Sequence, residues 1–358
     1  MSIQFRPQIK DLEPYKPGKP IEDVKREYGL KEVTKLASNE NPLGSSPKAK
    51  EAIIKALDEL NLYPDGNSTD LKKAIADKLG VKPSQVLPSS GSDEMVDQIS
   101  KTFVNEGDEV IVANITFPRY LSTAIMMGGT PVIVPLKDFT YDLDAMKKAI
   151  TPKTKLIWLC NPNNPTGTMF SEKALLDFLD SVPKNIVVIY DEAYKEYVTN
   201  EEYPHDSISL LEKYPNVIIM RTFSKAYGLA ALRVGYTMAS EEIISEINKI
   251  RGPFNVTTLS QVAAIAALED TEFLQKSYDV NKEGKEYLYK AFDEMGIWYA
   301  QSETNHIFFD AKKNAQEVFV DLQKRGMIVR PIFATYVRVS IGTMEENKKF
   351  IQLLKEVL

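Results

Sequence analysis

Short, unbroken runs of apolar residues occur through the middle of the chain, and amphipathic segments lie between them. Runs without polar alternation are typical of strands that are covered on both faces of a sheet. We predict strands at residues 110–113, 131–135, 155–160, 186–190, 217–220 and 234–238. Helices are predicted at residues 93–104, 171–181 and 207–214. The alternation of strands and helices predicts an α/β fold with a mostly parallel, doubly wound sheet.

The two ends of the chain have different patterns. Residues 1–45 are rich in Pro, Lys and Gly, which indicates an arm that runs over the body of the protein. Amphipathic helices are predicted at residues 47–60, 69–79, 271–295, 314–325 and 344–357, and C-terminal strands at 305–310, 327–330 and 336–341. We therefore expect a large domain at 46–270 and a smaller α+β domain at 271–358, with the arm packed on the smaller one.

Composition excludes several classes of protein. The 358 residues include 44 basic and 50 acidic side chains, and a net charge of −6 gives no reason to bind nucleic acid or anionic membranes. The single cysteine, Cys160, excludes an internal disulfide and fits a reducing, cytoplasmic compartment. Neither a membrane-length apolar run nor a signal-peptide core is present. Two histidines without HExxH or CxxC spacing argue against a zinc site.

Lys225 follows the predicted strand 217–220 within the run Arg-Thr-Phe-Ser-Lys. The carboxyl ends of strands are where open α/β sheets bind ligands. Thr222 and Ser224 supply hydroxyl groups nearby, and Arg233 supplies a cation, which together suit a phosphate dianion. We interpret Lys225 as an amine that forms an imine with a phosphorylated carbonyl cofactor, whereas an ordinary surface lysine is the alternative.

Three further polar residues follow predicted strands. Asp191 ends a buried strand, where a carboxylate is costly unless it is paired, and a pyridinium nitrogen is a suitable partner. The alternative for Asp191 is a helix N-cap. Asn164 and Tyr194 could both hydrogen-bond a phenolate oxygen, with a bare turn and a core tyrosine as the alternatives. With Lys225, these residues predict pyridoxal 5′-phosphate (PLP) as cofactor.

A second phosphate-binding element is predicted where a helix begins at Gly91 and Ser92. Backbone N–H groups at a helix N-terminus attract anions. Asp93 belongs to the same turn, although its carboxylate and that of Glu94 also suit a helix cap and the helix dipole. Phe117 follows another predicted strand and could stack on the cofactor ring, with a core phenylalanine as an equal alternative.

Two arginines mark the predicted substrate end. Arg330 and Arg338 lie on neighbouring C-terminal strands and could clamp an anionic substrate group. Surface salt bridges are the alternative, which is weaker for Arg338 because Val337 and Val339 would bury it.

Together these motifs resemble those of the histidinol-phosphate aminotransferases, a branch of the fold type I PLP-dependent transferases. The resemblance runs nearly end to end. Its motifs are Pro-Tyr-Lys-Pro-Gly at 14–18, Asn-Glu-Asn-Pro at 39–42, Tyr-Pro-Asp at 63–65, Gly-Ser-Asp-Glu at 91–94, Asn-Pro-Asn-Asn-Pro-Thr-Gly at 161–167, Asp-Glu-Ala-Tyr at 191–194, Thr-Phe-Ser-Lys at 222–225 and Arg-Val-Ser-Ile-Gly-Thr at 338–343.

The resemblance implies a role for each candidate residue. Lys225 is the Schiff-base lysine and proton shuttle, and Asp191 pairs with the ring nitrogen. Asn164 and Tyr194 hold the phenolate oxygen. The cofactor phosphate is held by Thr222, Ser224, Arg233 and the turn at Gly91, Ser92 and Asp93.

The resemblance also implies a homodimer, in which Tyr63 reaches the cofactor phosphate of the partner subunit. Substrate contacts are implied for Tyr15, Asn39, Tyr63, Arg330 and Arg338. The expected reaction is transamination between histidinol phosphate and 2-oxoglutarate in histidine biosynthesis. Its alternatives are an aromatic amino-acid aminotransferase, a PLP-dependent lyase such as a threonine-phosphate decarboxylase, and a non-catalytic binding protein. Arg330 and Arg338 are only eight residues apart, closer than is usual in the family.

Overall fold

A computed structural model describes residues 3–10, 12–14 and 18–358. The N-terminal segment contains helix α1 (Ile21–Tyr28) and the two-residue strand β1 (Thr34–Lys35). Helix α1, which the sequence pattern did not predict, ends at Gly29, whose φ of 64° is readily adopted by glycine. Val24 of this helix is buried against Ile328 of the C-terminal part, so the arm packs on that part of the protein.

The larger part of the protein contains the elements from residue 47 to residue 268, and a seven-stranded sheet forms its centre. Its strands are β2 (Val86–Ser89), β3 (Glu109–Ala113), β4 (Thr130–Val134), β5 (Thr154–Cys160), β6 (Val187–Asp191), β7 (Val217–Thr222) and β8 (Gly235–Met238). Their spatial order is β2-β8-β7-β6-β5-β3-β4. Strand β8 is antiparallel to both of its neighbours, and every other pairing is parallel. The predicted mostly parallel sheet is therefore confirmed.

Nine helices of the larger part lie between or beside these strands. They are α2 (Pro47–Lys55), α3 (Thr69–Leu79), α4 (Gly91–Phe103), α5 (Pro118–Met126), α6 (Leu143–Lys148), α7 (Glu172–Ser181), α8 (Leu210–Lys213), α9 (Glu241–Ile250) and α10 (Thr258–Leu268). The predictions for residues 47–60 and 207–214 were too long, because each of these segments contains a 3₁₀ turn, at Leu57–Glu59 and Ser207–Ser209. Helices α5, α6, α9 and α10 were not predicted.

The C-terminal part is built around a three-stranded antiparallel sheet. Its elements are α11 (Thr271–Glu294), β9 (His306–Asp310), α12 (Ala315–Lys324), β10 (Met327–Ile328), β11 (Arg330–Phe333), β12 (Tyr336–Ser340) and α13 (Met344–Val357). The sheet order is β11-β12-β9. The prediction of a single strand at 327–330 was wrong, because β10 pairs with β1 of the arm whereas β11 pairs with β12.

Two separate apolar clusters fill these parts. The larger cluster contains Trp158 and the central strands, and the smaller contains Phe292, Phe309 and Phe350. Leu36 of the arm belongs to the smaller cluster. The domain boundaries at residues 45 and 270 stay a prediction. Within the described residues, no helix is both long enough and apolar enough to cross a bilayer.

Candidate active site

A cavity of about 510 Å³ opens at the carboxyl ends of the parallel strands. It lies between the large sheet and the C-terminal sheet, and residues of the arm also line it. The cavity brings together most of the candidate residues, namely Asn39, Ser92, Asp93, Phe117, Asn164, Asp191, Tyr194, Thr222, Ser224, Lys225, Arg233, Arg330 and Arg338. This position is where an open α/β sheet binds its ligand.

Asp191, the last residue of β6, is only 4% exposed. Its Oδ2 accepts a hydrogen bond from the Tyr120 hydroxyl at 2.6 Å, and its Oδ1 accepts from the Ala193 amide at 3.0 Å. Burial nevertheless raises the pKa of Asp191 to about 6, although the hydrogen bond from Tyr120 opposes the rise. The carboxylate caps no α-helix, and among the described residues no cationic side chain forms an ion pair with it.

Tyr120 is a site residue that the sequence analysis missed. It lies in the first turn of α5, three residues after Phe117, which is the N-cap residue of that helix. The Tyr120 ring stacks on Trp158 at 4.4 Å between ring centroids and meets the Phe117 ring edge-on at 5.5 Å. Phe117 itself is partly exposed on the cavity wall. The aromatic pair three residues apart was the only signal in the sequence that could have identified Tyr120.

Lys225 lies on the cavity wall with its amine directed into the site. Its Nζ donates a hydrogen bond to the Ser38 carbonyl at 3.3 Å and lies 5.9 Å from the centre of the Tyr194 ring. Burial lowers the pKa of Lys225 to about 8, and the positive charge of Arg338 contributes to the shift. A lysine with this pKa has a sizeable neutral, nucleophilic fraction near neutral pH.

Arg338 connects three segments of the chain. Its Nη1 donates to the Asn164 side-chain oxygen at 2.6 Å, and its Nη2 donates to the Ala37 carbonyl at 2.6 Å. Beside it, the side-chain amide of Asn39 donates to the Tyr194 hydroxyl at 2.9 Å. The arm, the large sheet and the C-terminal sheet therefore meet at this wall, and Ala37 is a contact that sequence reasoning did not identify.

Another part of the cavity wall, which we call the anion cradle, lies near the start of helix α4. Helix α4 begins at Gly91, whose φ is 77°, and a Cβ atom at this position would lie 2.5 Å from Nη2 of Arg233. The Arg233 guanidinium also lies 3.5 Å from the carboxylate of Asp93. Thr222 and Ser224 are buried nearby, and the Ser224 amide donates to the Thr222 hydroxyl at 3.1 Å. A helix N-terminus, two hydroxyls and a guanidinium are suited to a phosphate group.

The cavity is locally positive although the chain is acidic. Its lining includes four cationic side chains and three carboxylates, Lys225, Arg233, Arg330 and Arg338 against Glu40, Asp93 and Asp191. The chain as a whole carries a net charge of −6. This local excess favours an anionic ligand, as the sequence analysis expected.

Glu192 and Arg221, which neighbour Asp191 and Thr222 in the chain, form a buried ion pair next to the site. The Arg221 Nε donates to a carboxylate oxygen of Glu192 at 2.9 Å, and both side chains are at most 5% exposed. Ser207 donates to the same carboxylate at 2.8 Å. This network joins the carboxyl ends of β6 and β7, which carry Asp191 and Thr222 into the cavity. Sequence reasoning missed it.

One candidate substrate residue, Tyr63, is not part of this cavity. Tyr63 is 83% exposed, and its ring stacks on Phe254 at 4.7 Å between centroids. Tyr15 lies outside the described residues. The other predicted substrate residues, Asn39, Arg330 and Arg338, all line the cavity.

A lysine of lowered pKa, a buried carboxylate and the anion cradle at one end of a mostly parallel sheet are suited to an enzyme of amino-group chemistry. The chain belongs to the family "Aminotransferase class I and II", whose profile matches residues 31–354. The predicted aminotransferase fold is therefore confirmed.

Two relatives align with 99% of this chain. It is 51% identical to the histidinol-phosphate aminotransferase of Caldicellulosiruptor saccharolyticus, over 99% of this chain and 100% of the relative. It is 50% identical to the enzyme of the same name from Moorella thermoacetica, over 99% of this chain and 92% of the relative.

A solved structure is also similar over the full length. The histidinol-phosphate aminotransferase from Sinorhizobium meliloti, crystallised in complex with pyridoxal-5′-phosphate, has a TM-score of 0.91 at 29% identity. The match covers 100% of this chain and 98% of that one. Aspartate aminotransferase from Thermus thermophilus, at 20% identity and a TM-score of 0.86, has the same fold.

Proposed function

We propose that this protein is a PLP-dependent histidinol-phosphate aminotransferase, which exchanges an amino group between histidinol phosphate and 2-oxoglutarate. The observation that carries the proposal is identity of about half the residues, over the full length, with relatives of that name. The composition of the cavity supports it, because Lys225, Asp191 and two arginines line one site.

The residues present fit PLP. Lys225 offers an amine of lowered pKa, and Asp191 offers a buried carboxylate that forms no ion pair with the described part of the chain. The cradle around Gly91 and Arg233 has the charge and the backbone geometry for a phosphate, and Asn164 and Tyr194 supply polar groups for a phenolate oxygen. When it is bound, PLP supplies an aldehyde that condenses with amines and a ring that accepts electrons.

The chain's own residues then perform binding and proton transfer. Lys225 would hold the cofactor covalently through its amine, and in its neutral form the Nζ atom would accept the proton of the substrate Cα. The Asp191 carboxylate would stabilise a protonated ring nitrogen. Arg330 and Arg338 hold the substrate phosphate in one half-reaction and a glutamate carboxylate in the other.

We further propose that the protein is a cytoplasmic homodimer. Tyr63 supports the dimer, because this exposed tyrosine lies away from the cavity of its own subunit and is free to reach the cofactor phosphate of a second copy. The free, buried thiol of Cys160 is suited to a reducing compartment. Sedimentation of the purified protein tests the dimer, and a monomer at working concentration would contradict it.

The function is tested with purified protein and the Lys225→Ala variant. We expect wild-type protein to show the visible absorbance of covalently bound PLP and to react with both histidinol phosphate and glutamate. Lys225→Ala should lose that absorbance and its turnover. The control is Lys195→Ala, which removes a lysine that is also partly buried but lies outside the cavity. Full activity of Lys225→Ala, or reaction of the wild type with phenylalanine but not histidinol phosphate, would overturn the proposal.

A further inference from the structure

A tight hairpin carries the substrate-end arginines. Strands β11 and β12 are joined by only Ala334 and Thr335, and the Cα atoms of Arg330 and Arg338 are paired across the hairpin. The register between the strands shifts between Pro331 and Phe333. Such an irregularity interrupts the alternation of side chains along a strand. As a result, all four residues of β11 line the cavity.

Beyond Arg330, this stretch of the wall is apolar. Pro331, Ile332 and Phe333 follow each other along it, and Phe333 is 38% exposed although it is a large aromatic residue. An exposed aromatic side chain on the wall of a cavity is a typical contact for the apolar part of a ligand. None of the roles assigned above to cofactor or to anionic groups uses these three side chains.

Phe333 packs against other aromatic rings of the C-terminal sheet. Its ring lies 5.1 Å from that of Tyr336 and 6.1 Å from that of Phe308, and Tyr336 stacks on Phe308 at 4.9 Å with an interplanar angle of 8°. Phe139, in the loop between β4 and α6, contacts both Phe308 and Tyr336 at 5.1 and 5.2 Å. Phe333 therefore packs on two rings of the C-terminal part, and Phe139 of the larger part packs on those two rings in turn. This packing limits the movement of Phe333 before ligand binds.

We propose that Phe333, together with Ile332, forms the surface that binds the ring of a ring-bearing amino donor beside the two arginines. The inference rests on the proposed function and extends it to the residues that select the substrate. Histidinol phosphate carries both an imidazole ring and an anionic group, whereas glutamate and 2-oxoglutarate carry no ring. The aromatic surface consequently stabilises one half-reaction and contributes little to the other.

The test measures the two half-reactions separately with the holoenzyme and the variants Phe333→Ala and Phe333→Leu. We expect Phe333→Ala to lower kcat/KM for histidinol phosphate by about tenfold to a hundredfold, the loss that corresponds to one large apolar contact. Phe333→Leu should lie between it and wild type. Turnover with glutamate should change by less than about threefold in both variants.

Trp298→Ala is the matched control. Trp298 belongs to the same aromatic cluster, with its ring 5.1 Å from that of Phe139, but it is not part of the cavity wall. This variant should leave the ratio of the two half-reactions unchanged. Calorimetric titration of the cofactor-free proteins with histidinol phosphate adds a readout of binding alone, in which Phe333→Ala should again bind more weakly.

Equal losses in both half-reactions of Phe333→Ala, or no loss in either, would overturn the inference. Failure of the proposed function has a different signature, because the wild-type protein itself would not react with histidinol phosphate. In that case phenylalanine takes the place of the ring-bearing donor in the same comparison. Selective loss of the phenylalanine reaction in Phe333→Ala would then support the ring surface although the named substrate is wrong.

Discussion

Asp191 should destabilise the cofactor-free protein at neutral pH, and Asp191→Asn should relieve this cost. Burial raises the pKa of Asp191 from 3.8 to about 6, although Tyr120 and the Ala193 amide both donate hydrogen bonds to the carboxylate. A shift of about two pH units corresponds to about 3 kcal/mol when the group is fully ionised. The uncharged amide of the variant has no corresponding cost.

The sign of the pH dependence follows from the raised pKa. The folded protein favours the protonated carboxyl of Asp191, so the bound proton stabilises the fold. This stabilisation is fully present below pH 3.8 and is lost as pH rises through about 6. The difference in unfolding free energy between Asp191→Asn and wild type should therefore shift in favour of the variant by about 1 to 2 kcal/mol as the pH rises from about 5 to about 8. The trend with pH matters more than the absolute difference, because the substituted amide changes its own hydrogen bonds.

Urea denaturation of cofactor-free protein at several pH values, at one fixed protein concentration, measures this trend. Asp180→Asn is a control, because the hydrogen bond from Tyr214 and the amine of Lys213 lower the pKa of Asp180, so this carboxylate is ionised in both the folded and the unfolded state over the tested range. The stability of that variant relative to wild type should therefore not change between about pH 5 and about pH 8. Added PLP should reverse the ranking for Asp191→Asn, which lacks the partner for the ring nitrogen. A stability difference that does not grow with pH would refute the reasoning.

Two further predictions concern the supports of the site. Glu192→Gln leaves the Arg221 guanidinium buried without a carboxylate, so unfolding free energy from urea denaturation should fall by about 3 to 5 kcal/mol; a loss below about 1 kcal/mol would contradict the argument. Gly91→Ala places a methyl group 2.5 Å from Nη2 of Arg233 and should weaken PLP binding in a fluorescence titration. Gly44→Ala is its control, because φ at Gly44 is also positive (80°) but the added methyl meets no atom within 4 Å. Equal PLP affinity in the two glycine variants would show that the close approach to Arg233 is unimportant.

The sequence pattern predicted those parts of the fold whose signal is local. The parallel strands of the large sheet appear as apolar runs, so all five were located to within a few residues. Strand β2 was missed because it has only four residues and contains Pro88, which edge strands tolerate. Helix α10 was missed because its residues are almost all apolar or small, which leaves no polar face to reveal a helical period.

A similar division applies to the site. Asp191 is the last residue of a strand, and Lys225 and Asn164 lie within four residues of a strand end, so topology alone brings them to one edge of the sheet. The hydrogen bond from Tyr120 to Asp191 and the contact of Lys225 with Ser38 join segments that are distant along the chain. Local patterns carry little information on contacts of this kind, and so the sequence analysis did not identify Tyr120 or Ser38.

The wall that contains Arg338 has a consequence for how the protein is made. The backbone N–H of Asn39 donates to the Ser340 hydroxyl at 2.8 Å, and the backbone N–H of Ser340 donates to the Leu36 carbonyl at 2.8 Å. Three hundred and one residues separate Asn39 from Ser340. Because a ribosome delivers the chain from its N-terminus, the large sheet can fold while this wall still lacks its last strand. A chain that terminates before β12 would keep the anion cradle and Lys225 but would have no enclosed place for a substrate.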